Sequence, residues 1–392
     1  MVLVKKILMR ESTFYVALGF FLIVRIAYAL SRDLFPSGPD APKYMKAPLD
    51  LVEFGFWSNQ IEGAPTYPLG YPVVLWPLAK IGGSNWISLA QLLQIFLSIA
   101  TVFLVYRISQ VFFKRQISLL ISYVFLFSPA FTPMSGQAMY EPLLMFLFYS
   151  YLLSIFSLQN FSRNPSWCIP IGFLAGIAIV THPRIIPWIL FSQLILYGKF
   201  GLKKSLVIFS SLLPIVLLFL SRNKVAHDSW TLSDAADSWI SDIRPENFSM
   251  LVRDGVVNAI YFWSPFSGDA KRGTWMHNFT FYHEIKKMTE STNLVFSVAV
   301  VLGVAAFSLW LLGSFLLLKD KLSIGRFVLF IPLFTWGTDM LTVGDSRHRL
   351  VVVPLLLIGQ VYAFIWLRSE KSNLLEKLNF GNPRKPNLKI SD

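Results

Sequence analysis

The sequence predicts an all-α polytopic membrane protein, on three observations. First, 54% of the 392 residues are hydrophobic and only 15% charged, and mean hydropathy is +0.55; soluble proteins of similar apolar content carry about 25% charge. Second, the apolar residues fall into runs close to the roughly 20 residues a helix needs to cross a bilayer core of about 30 Å. Third, lysines and arginines gather in alternate loops, as the positive-inside rule requires. An ordinary soluble protein is excluded, and the net charge of +13 reports orientation before it suggests nucleic acid. The single cysteine, Cys168, rules out an intramolecular disulfide, and with five histidines there is no Cys/His cluster at zinc spacing.

Lys5, Lys6 and Arg10 precede the first run, about Ser12 to Leu30, which is too long for a cleaved signal peptide and lacks its small-residue exit. Nine further runs follow: about Trp86 to Tyr106, Ile117 to Phe131, Tyr140 to Leu158, Trp167 to Thr181, Ile185 to Tyr197, Ser205 to Leu220, Leu294 to Leu318, Phe327 to Leu341 and Leu350 to Leu367. Trp167 to Tyr197 reads either as one kinked helix or as two helices meeting at His182-Pro183-Arg184. Counting two gathers 19 of the 35 lysines and arginines, but only 5 of the 22 acids, on the side of both termini. That side is then the cytoplasm. Fusing the two would export the basic tail, so ten spans are expected.

This divides the chain into an N-terminal membrane module, residues 1–220, containing an outer loop at 31–85; a second outer segment at 221–293; membrane helices at 294–367; and a basic cytoplasmic tail at 368–392, suited to anionic lipid. The first outer loop opens with Pro36, Gly38, Pro39 and Pro42 around Asp40, followed by an amphipathic stretch to Trp57. It closes with Pro65-Thr66-Tyr67-Pro68-Leu69-Gly70-Tyr71-Pro72 and Val73 to Ile81, an apolar run too short to cross and expected in the interface.

These residues resemble a family. Asp40-Ala41, Tyr44, Ala47, Gly55 and Tyr67-Pro68-Leu69-Gly70-Tyr71-Pro72 are similar to the first external loop of the C-type (GT-C) membrane glycosyltransferases, which take a sugar from a polyprenyl phosphate. Examples are the dolichyl-phosphate-mannose protein mannosyltransferases and the bacterial lipid A aminoarabinose transferase. The resemblance continues through Gln91, Val105-Tyr106-Arg107, Ser135-Gly136-Gln137-Ala138-Met139-Tyr140-Glu141-Pro142, Gly172-Phe173-Leu174-Ala175-Gly176 and Thr181-His182-Pro183-Arg184. It covers roughly Leu18 to Leu220. It departs from the family at Asp40-Ala41, where many members carry Asp-Glu.

The resemblance implies a GT-C-like fold and displacement at the anomeric carbon of a lipid-linked sugar. Such chemistry needs a carboxylate to take the acceptor's proton and cations to steady the departing phosphate. Asp40 is the candidate base, with Asp33 in reserve, although Asp33 beside Arg32 also suits an interfacial ion pair. Glu141 begins the fourth span, where a carboxylate also favours the helix dipole; the family places an acid there close to the active site. Arg347, His348 and Arg349 at the outer mouth of the last span, together with Arg184, are the candidate donor-phosphate ligands. The two C-terminal arginines could instead bind ordinary lipid phosphates or pair with Asp339 and Asp345. Tyr44, Tyr67, Tyr71 and His182 are expected at the substrate, and His182 could equally cap a helix end. The resemblance fixes no cofactor; a magnesium or manganese ion would fall to Asp40 and Glu141.

Trp230, Trp239, Trp263 and Trp275 in the second outer segment suit carbohydrate stacking, but suit interfacial anchoring better. Expected partners are a polyprenyl-phosphate-linked sugar, a glycan, lipid or protein acceptor, and membrane lipids, with no nucleic acid. The expected location is the bacterial cytoplasmic (inner) membrane, with the endoplasmic reticulum as alternative. A transporter or flippase of lipid-linked sugars is the rival reading, disfavoured because ionisable residues deep in the spans are scarce.

Overall fold

Apolar runs with few breakers become helices, and the breakers mark where the chain turns. The computed structural model describes residues 10–31, 41–128, 131, 139–157, 165–233, 293–320, 322–341 and 351–378, and among them every regular element is helical. The elements are α1 (Glu11–Ser31), α2 (Ala41–Phe54), α3 (Gly70–Gly82), α4 (Trp86–Phe112), α5 (Arg115–Leu126), α6 (Glu141–Ser157), α7 (Cys168–Thr181), α8 (Ile186–Phe200), α9 (Leu202–His227), α10 (Asn293–Asp320), α11 (Leu322–Leu341) and α12 (Val353–Leu378). Single 3-10 turns sit at Gly83–Asn85, Pro165–Trp167 and Pro183–Ile185.

Among the described residues three helical stretches are long and apolar enough to cross a membrane: Gly70–Phe112, Leu202–His227 and Val301–Asp320. Five further apolar helices are shorter, at 10–17 residues. The protein is thus an integral membrane protein whose regular elements, among the described residues, are all helical. The run Val73 to Ile81, expected as a helix in the interface, forms part of α3, with Tyr71 and Leu75 fully buried. It leads into α4 through Gly83, whose φ of 51° breaks the helix in a conformation that favours glycine.

The α4 helix is central: α1, α3, α5 and α6 all pack on it, and one continuous cluster of buried apolar side chains runs from Phe14 on α1 to Ile358 on α12. The region around His182 resolves into two helices. A methyl group on Gly172 would meet Ile208 O at 2.3 Å, and one on Gly176 would meet Leu212 O at 3.1 Å, so α7 and α9 run parallel with their backbones nearly touching. Ser205 Oγ on α9 donates to Gln193 Oε1 on α8 at 3.2 Å, as antiparallel neighbours across the Gly201 turn do. The chain therefore reverses between α7 and α8 rather than kinking. Small residues also permit the tightest crossing, where Gly313 of α10 lies against Gly359 of α12.

Several boundaries moved relative to the apolar runs: α4 continues past Tyr106 to Phe112, and α12 past Leu367 to Leu378, into the expected tail. The α5 helix stops at Leu126, short of the expected Phe131. The α9 helix continues past Leu220 to His227, because Arg222 and Asn223, polar in sequence, are buried against the first outer loop. It ends at Asp228, with φ of 57°, whose carboxylate pairs with Lys224 and is held below its usual range by that ammonium.

At the far end of α4, Tyr106 of the Val105-Tyr106-Arg107 motif donates to Glu11 Oε1 and accepts from Gln110 Nε2 at 2.9 Å. Arg115 approaches Glu11 at 3.9 Å. That motif thus ties α1 to the α4–α5 hairpin and lies about 18 Å along α4 from Gln94, at 1.5 Å per residue.

Candidate functional site

Residues distant in the chain meet at the ends of α2, α3, α6 and α7. Tyr44 is the hub: its ring lies 5.5 Å from Tyr67, 5.7 Å from Tyr71 and 5.7 Å from Tyr140. Tyr140 in turn stacks on His182 at 4.5 Å with 27° between the planes. Tyr44, Tyr71 and Tyr140 are all buried, at 3%, 0% and 5% exposure.

Glu141 follows Tyr140 as the first residue of α6 and is 1% exposed, so it is a buried carboxylate at a helix N-terminus. There the aligned peptide dipoles favour its charge. It lies within electrostatic reach of the Tyr71 phenol. That phenol accepts from Gln94 Nε2 at 2.7 Å. Gln94 belongs to a buried polar stripe on α4 comprising Gln91, Gln94, Ser98 and Thr101, spaced to face one side of the helix. Gln94 Oε1 and Ser98 Oγ have no hydrogen-bond partner among the described residues. Gln94 was missed in the sequence because glutamine on an apolar helix reads equally as helix–helix glue.

The backbone sets these positions. His182 leaves the helical region (φ −157°, ψ 110°), and its Nδ1 accepts the Arg184 N–H at 3.3 Å. With Nδ1 accepting, the neutral ring carries its proton on Nε2. The Pro-Leu-Gly-Tyr turn docks directly on this break, since a methyl group on Gly70 would lie 2.4 Å from Val180 O and 2.5 Å from Thr181 N. Gly70 thus lets two backbones touch, setting Tyr71 and His182 on either side of Tyr44 and Tyr140.

The outer loop is braced beneath. Lys46 on α2 pairs with Glu62 at 2.6 Å and approaches Asp50 at 3.9 Å. Glu62 and Asp50 together hold the Lys46 ammonium above its ordinary value. Asp50 Oδ2 also accepts the Glu62 N–H at 2.8 Å.

Of the residues singled out in the sequence, Tyr44, Tyr67, Tyr71, Glu141 and His182 come together, and Arg184 is half-buried two residues beyond His182. Asp33, Asp40, Arg347, His348 and Arg349 lie outside the described residues. Tyr149 on α6 donates to Val351 O at 2.6 Å, which places the chain just after Arg347-His348-Arg349 two turns along the helix that Glu141 begins. Trp230 is 61% exposed; the other three outer tryptophans lie outside the described residues. Arg25 stacks over Phe21 within α1 at 5.1 Å. Among the described residues no group of three or more His, Cys, Asp and Glu side chains comes together as a metal site would require.

No protein-family model matches this sequence. No curated protein matches it either. Among solved structures, the chain is similar to the archaeal oligosaccharyltransferase AglB from Archaeoglobus fulgidus, determined in complex with an inhibitory peptide and a dolichol-phosphate. The TM-score is 0.51 at 12% identity, and the match covers 94% of this chain and 52% of that one. This protein thus spans about half the length of the oligosaccharyltransferase. At that identity the likeness establishes a shared fold, which takes in almost the whole of this helical chain.

Proposed function

We propose that this protein is a C-type membrane glycosyltransferase that moves a sugar from a polyprenyl-phosphate donor to a glycan, lipid or protein acceptor at the outer face of the membrane, with inversion at the anomeric carbon. The observation that carries the reading is the convergence of Tyr44, Tyr67, Tyr71, Tyr140, Glu141 and His182, which come from four separate motifs. The fold shared with an oligosaccharyltransferase that was determined with a dolichol-phosphate supports it.

Asp40, which precedes α2 in the chain, takes the proton of the acceptor hydroxyl as that oxygen attacks the anomeric carbon. The bond to the donor phosphate breaks, and the phosphate leaves with the electron pair. Tyr67 and His182, both partly exposed, supply hydrogen-bonding groups and flat faces for a sugar, and the buried Tyr44, Tyr71 and Tyr140 back them. Of the two candidate metal-ion ligands, Asp40 and Glu141, only Glu141 lies among the described residues, and no step of the proposed chemistry depends on a metal ion. Ten spans, both termini in the cytoplasm of a bacterium and the domain limits given above complete the proposal.

The deciding experiment is transfer from a labelled polyprenyl-phosphate sugar by purified protein in liposomes. Label appearing in an acceptor supports the reading. Transbilayer movement of the donor with no transfer would replace it with the flippase reading.

Arg347 and Arg349 are proposed to hold the donor phosphate, with His348 between them and Arg184 as the other cation. Arginine matches phosphate with paired hydrogen bonds and would stabilise the charge that grows as the sugar departs. Losing one charged hydrogen bond costs about 1.5 to 3 kcal/mol. Arg347→Ala or Arg349→Ala is therefore expected to lower transfer efficiency by about 10- to 160-fold, with weakened donor binding. Arg349→Lys should rescue only partly, because it keeps the charge and loses the fork. Unchanged kinetics in both alanine variants would move the phosphate site to Arg184.

A further inference from the structure

Arg222, at the outer end of α9, is fully buried at 0% exposure. Its Nε donates to Phe56 O at 2.9 Å, Nη2 donates to Ser58 O, and Nη1 donates to Asn223 Oδ1 at 2.9 Å. No acid pairs with it among the described residues, so carbonyl and amide dipoles alone answer its charge. Burying a guanidinium is unfavourable unless its N–H groups are answered, and an apolar side chain of similar volume would fill such a place at lower cost. What an apolar side chain would not do is read two carbonyls of one turn at once. The planar fork, with donors in fixed directions, does this.

Neighbouring groups extend the clamp. Asn223 Nδ2 donates to Thr231 O at 2.7 Å, and Ser233 Oγ donates to Thr66 O at 2.6 Å. Phe56 packs edge-on against Phe219, one turn below Arg222, at 5.4 Å. The turn after α2, the strand of chain before α3 and the start of the second outer segment are thus joined through the end of α9. Tyr44 stands in the first turn of α2, the helix that leads into this loop, and Tyr67 stands where the loop reaches α3; both belong to the aromatic cluster around Tyr71 and Tyr140.

We infer that Arg222 is a positioning residue: by holding the Phe56 and Ser58 carbonyls it keeps the first outer loop, and with it Tyr44 and Tyr67, in the arrangement that receives substrate. Through Asn223 it couples that loop to the second outer segment. The activity arm of this inference rests on the glycosyltransferase reading; the structural arm does not.

The test compares wild type, Arg222→Lys and Arg222→Ala, purified in detergent, by amide hydrogen exchange and by transfer kinetics. Arg222→Ala is expected to speed exchange in residues 56–66 and 229–233 by about tenfold or more while leaving α4 and α6 unchanged. With fewer molecules in the competent arrangement, KM for the donor should rise about tenfold while kcat changes little. Arg222→Lys should fall between, since an ammonium keeps the charge but lacks the fixed donor directions of the fork. A disulfide between Thr66→Cys and Ser233→Cys, introduced into Arg222→Ala, should restore both protection and KM, which it could not do for a group that touches substrate.

Unchanged exchange in residues 56–66 overturns the clamp. Faster exchange there with unchanged KM overturns the link to the site. Loss of transfer that the disulfide does not rescue assigns Arg222 a direct contact with substrate instead. Should Arg222→Ala fail to fold, Arg222→Lys with and without the disulfide gives the same comparison. If wild type itself transfers no sugar, the exchange arm still decides the clamp, and only the proposed activity fails.

Discussion

Asp40→Asn is expected to abolish glycosyl transfer while leaving folding and donor binding intact. The amide keeps the shape of the carboxylate but cannot accept a proton. Help from a positioned general base is typically worth about 10²- to 10⁴-fold, so turnover should fall by that factor, about 3 to 5 kcal/mol in barrier. Purified protein assayed for transfer and, separately, for donor binding checks both halves of the expectation. Wild-type turnover would remove Asp40 from the mechanism and bring Asp33→Asn forward as the next variant.

Glu141→Gln is the informative companion. Glu141 is buried beside Tyr140, and glutamine keeps its size. A loss approaching that of Asp40→Asn would give Glu141 a part in the reaction. A loss near 0.3 to 1 kcal/mol in stability, with transfer retained, is what favourable placement at a helix N-terminus alone would yield.

Gly70→Ala is expected to have the largest effect of any single-methyl change near the site. Its new methyl group would lie 2.4 Å from both Val180 C and Val180 O and 2.5 Å from Thr181 N. All three are backbone atoms at a helix end, so no side chain can swing aside, and α3 must move away from α7. Overpacking of this kind usually costs about 1 to 3 kcal/mol. The displacement separates Tyr71 from Gln94 and His182 from Tyr140, so transfer should fall further than stability does. Thermal unfolding and transfer assays on the same preparation would show this, and an unchanged melting temperature with full activity would contradict the backbone contact. Gly19→Ala on α1 is the control. Nothing lies within 4 Å of its added methyl group, and alanine gains helix propensity over glycine, so no loss is expected.

The motifs were legible because each contains residues with restricted uses. Prolines around Tyr67 and Tyr71 and the His-Pro-Arg triplet mark a kink or a break wherever they stand, and the triplet does separate α7 from α8. Charge asymmetry favoured two helices there, and the parallel course of α7 and α9 agrees with it. Arg222 was not legible in this way. An arginine just past an apolar run reads as a solvated end, and nothing local shows that two carbonyls of a loop far earlier in the chain will come within 3 Å of it. Gln94 escaped notice for the same reason, since its meaning lies in Tyr71 on another helix.

Composition and hydropathy by themselves determined that this chain is helical and belongs in a membrane, because a bilayer admits only helices and closed barrels, and apolar runs this continuous lack the alternation of barrel strands. Sequence order also determined which aromatic and acidic residues stand at helix ends. Only the tertiary structure decided which of those ends share one place. That decision rests on contacts between distant segments, the touch of Gly70 on Val180 and the reach of Arg222 to Phe56, which depend on close approach of backbones and have no periodicity for a sequence to display.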